Sequence, residues 1–297
     1  MTRLKESDLV RPERVLVATV TEDREPHASE VVYLFKTLQH FGGRLSRARR
    51  IVYFLESADH PSTTQLADLG VTIKVVDRVD ARCPFSNKVR MLDATEECDY
   101  LVAVDTDIVI ARDFSVFIQG SSIAAKPAGR IRLSLDQWRR VFDYFGLEIP
   151  QARYLTTSRV DETIPYFNGG VLIIPGEHVS ILRTEWQSFT RRLLDAYPEL
   201  PEVAAHPVFV DEFALTLALV AAKLPFRALP LAMNFPTDRG VDPLLEPDKV
   251  IPYLLHHHHR VSGAGDLLPC KYEEINNVIA RVNACLRSRD LEARGVR

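Results

Sequence analysis

The chain has 297 residues, with 37 Lys and Arg against 40 Asp and Glu, for a formal net charge of −3. Its 46% hydrophobic and 26% charged residues are ordinary for a globular protein and exclude a disordered chain, a collagen and a coiled coil. A chain of this length buries about 75% of its extended surface and needs no staples, and its near-neutral charge argues against a nucleic-acid partner.

The N-terminal half alternates strand and helix signals. Residues 14–20 form a continuous β-branched run, the pattern of a buried parallel strand. Residues 29–41 have helical periodicity and stop at Gly42 and Gly43. Residues 51–55 and 71–76 read as strands on either side of a short helix, 62–69, ended by Gly70. A helix over 87–95 leads to a fourth strand, 100–104, and a fifth follows at 122–126.

Residues 133–145 form an amphipathic helix in which Ser134 and Gln137 make a capping-box pattern. Residues 147–166 lack a period and are read as a mobile loop. A strand at 170–174, long helices at 177–196 and 208–222, a strand at 254–259 and a helix at 272–286 complete the pattern. Such alternation predicts one α/β domain with a mostly parallel sheet and helices on both faces. Its expected parts are an N-terminal half (13–127), a second half (128–270) and a C-terminal helix (271–297).

Cys83, Cys98, Cys270 and Cys285 show no CxxC spacing, so neither a zinc ribbon nor a redox motif is indicated, and the thiols read as reduced. The first twenty residues lack the apolar run of a signal peptide. The longest apolar stretch, 214–222, is interrupted by Thr216 and falls far short of the ~20 residues of a spanning helix. The expectation is a soluble, cytoplasmic protein without an integral membrane segment. A peripheral membrane contact and a homodimer stay open.

Four motifs carry chemistry. In YLVAVDTDIVIARDF, an apolar strand delivers Asp105, Thr106 and Asp107 at its end, where open α/β sheets bind ligands. Two adjacent carboxylates repel, and a divalent ion is the natural compensator. In PYFNGGVLIIP, Asn168, Gly169 and Gly170 precede a strand; paired glycines allow close backbone approach or a turn at positive φ. Asp211 and Glu212 open an apolar helix, where they either complement its dipole or face a reactive centre.

In IPYLLHHHHR, strand alternation would send His256 and His258 to one side and His257 and His259 to the other, so that one pair could join the ion. Asn87, Lys88 and Arg90 open the helix before the Asp-x-Asp strand, where the two cations could pair with a diphosphate. Lys126 is a weaker candidate of that kind. His27, His40, His60, His178 and His206 show no partner pattern and read as structural or surface residues.

The order of these motifs resembles the GT-A glycosyltransferases, and most of all the glycogenin-type retaining family, glycosyltransferase family eight. The resemblance runs from about Arg14 to Gly265. It implies a GT-A-like, Rossmann-type fold and a nucleotide-diphosphate sugar donor, commonly a UDP-sugar, with 13–127 as the nucleotide-binding half, 128–270 as the acceptor and metal half, and 130–140 and 147–166 shaping the acceptor site. Ala18, Thr19 and Thr21 would contact the nucleoside. Asp105 and Asp107, with His256 or His258, would bind Mn²⁺ (or Mg²⁺). Thr106, Gly169, Lys88, Arg90 and Arg260 would complete the donor site, with Asn168, Asp211 and Glu212 in catalytic roles.

Two features depart from the family. No Lys-Pro-Trp follows the histidines, which leaves the cationic role to Arg260 and the histidine register open, and Glu212 replaces the usual glutamine. Retention or inversion, the sugar, the base and the hydroxyl acceptor are not decided. The alternatives are a sugar-phosphate nucleotidyltransferase, whose glycine-rich loop is missing from VTEDREPHASE, and a non-catalytic nucleotide-sugar-binding module.

Overall fold

The continuous apolar runs become central strands because both of their faces are covered. In β1 (Val15–Glu22), Val15 and Val17 enter one apolar core and Leu16 and Ala18 the other. The computed structural model describes residues 10–288; residues 1–9, and 289–297 of the expected C-terminal segment, lie outside the described residues.

The strands that follow are β2 (Arg49–Leu55), β3 (Thr72–Val76), β4 (Tyr100–Val104), β5 (Ile108–Ile110), β6 (Ile123–Pro127), β7 (Tyr154–Leu155), β8 (Glu162–Thr163), β9 (Phe167–Pro175), β10 (Phe226–Ala228), β11 (Phe235–Pro236) and β12 (Leu254–His256). The helices are α1 (His27–Phe41), α2 (Ser62–Asp68), α3 (Leu135–Tyr144), α4 (Gly176–Asp195), α5 (Pro201–Ala204), α6 (Val210–Ala221) and α7 (Glu273–Arg287).

Among the described residues, seven strands form the main sheet in the order β10-β6-β9-β4-β1-β2-β3. The β1–β2, β2–β3, β1–β4 and β6–β10 pairs are parallel. β9 alone runs antiparallel to both of its neighbours. This is the expected α/β layout, with α4 and α6 in the core of one face and α1 and α2 in that of the other.

The reversal of β9 matters for the site. Because β9 starts where β4 ends, Asn168–Gly170 lie beside Asp105, and Asp105 N donates to Gly170 O at 2.9 Å. A separate small sheet has the order β11-β12-β5, and its β5 follows β4 directly through 105–107. Its antiparallel register sets His256 opposite Ile108, the residue after Asp107.

Several boundaries differ from the sequence reading. The segment expected as a helix over 87–95 is a 3-10 run, Pro84–Leu92. Asn87 diverts it: its side chain accepts from Val79 N and donates to Pro84 O, each at 2.9 Å, in place of regular helical bonding. The expected loop 147–166 contains the β7–β8 hairpin. Asn168 and the two glycines lie inside β9, and neither glycine has positive φ. The expected strand 254–259 ends at His256, and His258 and His259 turn with φ of 48° and 60°. The alternation of four histidines therefore fails. The Ser134–Gln137 capping box is present.

Candidate active site

The carboxyl ends of β1 and β4, the start of β9, the start of α6 and the end of β12 surround a cleft of about 650 Å³. It gathers Thr21, Lys88, Asp105, Thr106, Asp107, Asn168, Asp211, Glu212, His256 and His258. Ala18 and Thr19 are buried in β1 and are not part of its lining. Gly169 stands behind the wall, its Cβ direction facing Asp211 Oδ2 at 3.6 Å. Arg90 turns away to Asp93 and the Asp77 carbonyl, and Arg260 to the carbonyls of Thr237 and Pro269, so neither lines the cleft. Lys126 is buried between the Pro127 carbonyl and Thr157. Burial pushes its ammonium down to about 8.

Asp105, Asp107 and His256 bring one ligand atom each to within 4.8 Å of one another. The imidazole orientation is set from behind: His256 Nδ1 lies 2.9 Å from Asn234 Oδ1, which can only accept. That leaves Nε2 facing Asp107 Oδ2 at 3.1 Å. In a neutral ring Nε2 would offer a lone pair to a carboxylate oxygen, so the contact is stable only with a proton or a cation between them. The donor set of two carboxylates and one imidazole suits a hard to borderline divalent ion such as Mn²⁺ or Mg²⁺. Burial by itself would raise the Asp107 carboxyl, but His256, then His257 and His259, hold it far below the usual range.

The network continues past Asn234. Asn234 Nδ2 donates to Asn168 Oδ1 at 2.8 Å, and Asn168 Nδ2 donates to Glu212 Oε1 at 2.9 Å. Tyr166 donates to Glu212 Oε2 at 2.5 Å. Burial and the Glu212 charge keep the Tyr166 phenol far above its ordinary value, so it remains a donor. Both oxygens of Glu212 are thus occupied, and Asn168 links it to the imidazole that faces Asp107.

Asp211 does not cap its helix: the N-cap is Phe209, without a side-chain cap bond. Its backbone carbonyl accepts from Trp186 Nε1 at 2.9 Å, which ties the start of α6 to α4. Burial pushes the Asp211 carboxyl up to about 7, opposed by Lys88 and reinforced by Glu212 and Asp105. Lys88 Nζ lies 2.7 Å from Asp105 Oδ2 and 3.5 Å from Asp211 Oδ2. Burial alone would lower the Lys88 ammonium, but these two carboxylates outweigh it and hold it above its normal value. Lys88 therefore bridges the Asp-x-Asp turn and the acidic helix start.

Of the other three histidines in the run, His258 Nδ1 lies 2.7 Å from Asp238 Oδ1 while its ring stacks on His256 at 3.7 Å, His257 is buried, and His259 Nδ1 lies 2.8 Å from Glu30 Oε2. Asn234, Tyr166, Arg24 and Arg239 also belong to the site, the two arginines as cleft cations paired with Glu22 and Asp238. None carries a local sequence signal; only the strand topology brings them in. A second cavity, of about 580 Å³, lies at the other end of β4 and β9, lined by acids such as Glu96 and Glu97 that pair with Lys74 and Arg14.

Residues 22–223 match the Rhodobacterales glycosyltransferase domain. The chain belongs to that family. Its fold is that of solved glycosyltransferases. The galactosyltransferase LgtC, in complex with donor and acceptor sugar analogs, is 14% identical, with a TM-score of 0.54 over 90% of this chain and 95% of that one. An active-site variant of LgtC aligns at 13% identity and a TM-score of 0.55 over the same shares. The bifunctional glycosyltransferase WbbM is 15% identical, with a TM-score of 0.53 over 90% of this chain and 50% of that one. No curated protein gives a significant sequence match. The expected GT-A-type fold and glycosyltransferase class are thus found. Among the described residues, no helix is long and apolar enough to cross a membrane.

Proposed function

We propose that this glycosyltransferase is metal-dependent and moves a sugar from a nucleotide-diphosphate donor, a UDP-sugar, to a hydroxyl acceptor with retention of configuration. The observation that carries this reading is the convergence of Asp105, Asp107 and His256 opposite Asp211 across one cleft. A divalent ion held by those three, Mn²⁺ or Mg²⁺, would supply Lewis-acid neutralisation of the charge that develops on the departing diphosphate.

Lys88 adds a fixed positive charge beside Asp105. Arg239 and Arg24 take the diphosphate role that the sequence suggested for Arg90 and Arg260, because they line the cleft. Thr21, at the end of β1, borders the nucleoside end, and Thr106 lies between the two acids.

Asp211 provides a carboxylate beside the anomeric carbon, where an oxocarbenium-like centre builds positive charge. Retention fits the hydrogen bonding. An inverting enzyme needs a free carboxylate base, yet both oxygens of Glu212 are engaged and Asp211 faces Lys88. Asn168 and Glu212 then hold the sugar-facing wall. The cleft, about 650 Å³, is wide enough for one nucleotide sugar.

A thermal-shift panel of nucleoside diphosphates, with and without Mn²⁺, tests the reading. UDP with Mn²⁺ should raise the midpoint by mass action, and neither alone should match it. A shift by UDP that is identical with a chelator present would refute metal-dependent donor binding.

A further inference from the structure

A second group of metal-ligating side chains lies beside the first and shares none of its residues. It consists of His27, Glu30 and His259, whose ligand atoms also lie within 4.8 Å of one another. Glu30, in the first turn of α1, is only 1% exposed. Its two oxygens meet His259 Nδ1 at 2.9 and 2.8 Å, and His27 Nδ1 lies 3.9 Å from Oε2. The His27 and His259 rings meet edge to face, with centroids 4.9 Å apart.

These separations suit a tetrahedral ion. Zn–N and Zn–O bonds of about 2.0–2.1 Å place neighbouring ligands roughly 3.4 Å apart, between the 2.8 and 3.9 Å found here. A cation can also reach the group. The side chains of His259 and His27 are 46% and 27% exposed on the cleft side, while the carboxylate is buried behind them.

A second, independent observation points to a ligand. His257 is 1% exposed, neither of its ring nitrogens has a hydrogen-bond partner, and its Nδ1 lies 3.9 Å from Glu30 Oε1. A buried imidazole without partners forfeits the hydrogen bonds it would make in water. A cation held at Glu30 would sit beside this unpartnered ring. The backbone is arranged to the same end, since His259 sits at φ 60°, an uncommon conformation for a non-glycine residue, and this turn aims its ring back at α1.

We propose that His27, Glu30 and His259 form a second divalent-metal site of zinc-class preference. Its chemistry differs from that of the first group. Two imidazoles and one carboxylate favour Zn²⁺ or Co²⁺, whereas two carboxylates and one imidazole accept Mn²⁺ or Mg²⁺. A loaded site fastens the start of α1 to the turn that follows His256. His259 Nε2 lies 3.9 Å from Asp107 Oδ2, so the two sites share a wall. The site stands on this geometry alone, whichever sugar the cleft transfers.

Co²⁺ titration followed by visible absorption, with Zn²⁺ competition by calorimetry, tests it on the full chain. Asp105→Asn disables the first group and should still bind one Co²⁺, displaced by Zn²⁺ but not by Mn²⁺. In that background, His27→Ala and His259→Ala should each weaken Zn²⁺ binding at least tenfold. Both positions are solvent-accessible, and circular dichroism with a chelator present checks that the variants remain folded. A folded Asp105→Asn protein that binds no Co²⁺ would overturn the proposal. So would unchanged Zn²⁺ affinity in both histidine variants.

Discussion

Asn234 Oδ1 accepts a hydrogen bond from His256 Nδ1 at 2.9 Å, and through this contact the tautomer of the imidazole beside Asp107 is fixed. Asn234 also donates to Asn168, so one amide aligns the ion side and the sugar side of the cleft. Partners of this kind behind a ligating histidine typically change metal affinity by about 10–100-fold when removed. Asn234→Ala should therefore weaken Mn²⁺ binding by that factor while the protein stays folded. Calorimetric titration with Mn²⁺ checks it, and unchanged affinity would remove Asn234 from the site.

The histidine run gives a graded expectation. His256 alone among the four belongs to the Asp105–Asp107 group. His256→Ala should abolish Mn²⁺-dependent nucleotide binding, and Asp107→Asn should do the same. His258→Ala should reduce Mn²⁺ affinity only a few-fold, because that ring contributes its stacking on His256 and its contact with Asp238. Equal losses at 256 and 258 in a nucleotide thermal-shift assay would contradict the geometry.

The two glycines after Asn168 have unequal roles. A Cβ at Gly170 would lie 2.9 Å from Asn168 Oδ1, 3.0 Å from His256 Cε1 and 3.2 Å from Asp105 Oδ2. At Gly169 the nearest atom would be Asp211 Oδ2, at an ordinary 3.6 Å. Gly170→Ala should thus displace three site residues at once and cut turnover by orders of magnitude. Gly169→Ala should retain most of the activity. Steady-state kinetics of the pair decide, and similar values would show that the close approach at Gly170 does not matter.

Much of this was legible in the sequence because it is local. The buried runs of β1, β2 and β4, the capping box at Ser134 and the Asp-x-Asp at a strand end depend on neighbours in the chain. What was missed depends on topology. The strand and helix periods could not show that β9 runs backwards, which is what sets Asn168 beside Asp105. The 254–259 run reads as a strand by composition, but the pairing with β5 ends at His256 and the chain then turns left-handed. His27 was read as structural or surface because its partners, Glu30 and His259, meet it across the fold. Arg90 and Arg260 were chosen for charge and position, yet nearer acceptors take both: Asp93 for one and backbone carbonyls for the other.

Asp211 carries the last prediction. Burial lifts its carboxyl from 3.8 to about 7. A carboxyl raised in this way binds its proton more tightly in the folded chain than in the unfolded one. Its stabilising contribution is complete below about pH 4 and is lost as the pH rises to about 7, after which it is constant. Asn cannot titrate, so the melting midpoint of Asp211→Asn minus that of the wild type, measured with a chelator, should climb between about pH 4 and 7 and then level. Turnover gives the second half of the test. If the ionised carboxylate stabilises positive charge at the sugar, wild-type kcat should rise through about pH 7, and Asp211→Asn should be slower by at least 100-fold with no such rise. Nucleotide affinity should change little, because Asp105, Asp107 and His256 are intact. A variant with near-normal kcat would reduce Asp211 to a partner of Lys88, leaving the charge at the anomeric carbon to the Asn168–Glu212 wall.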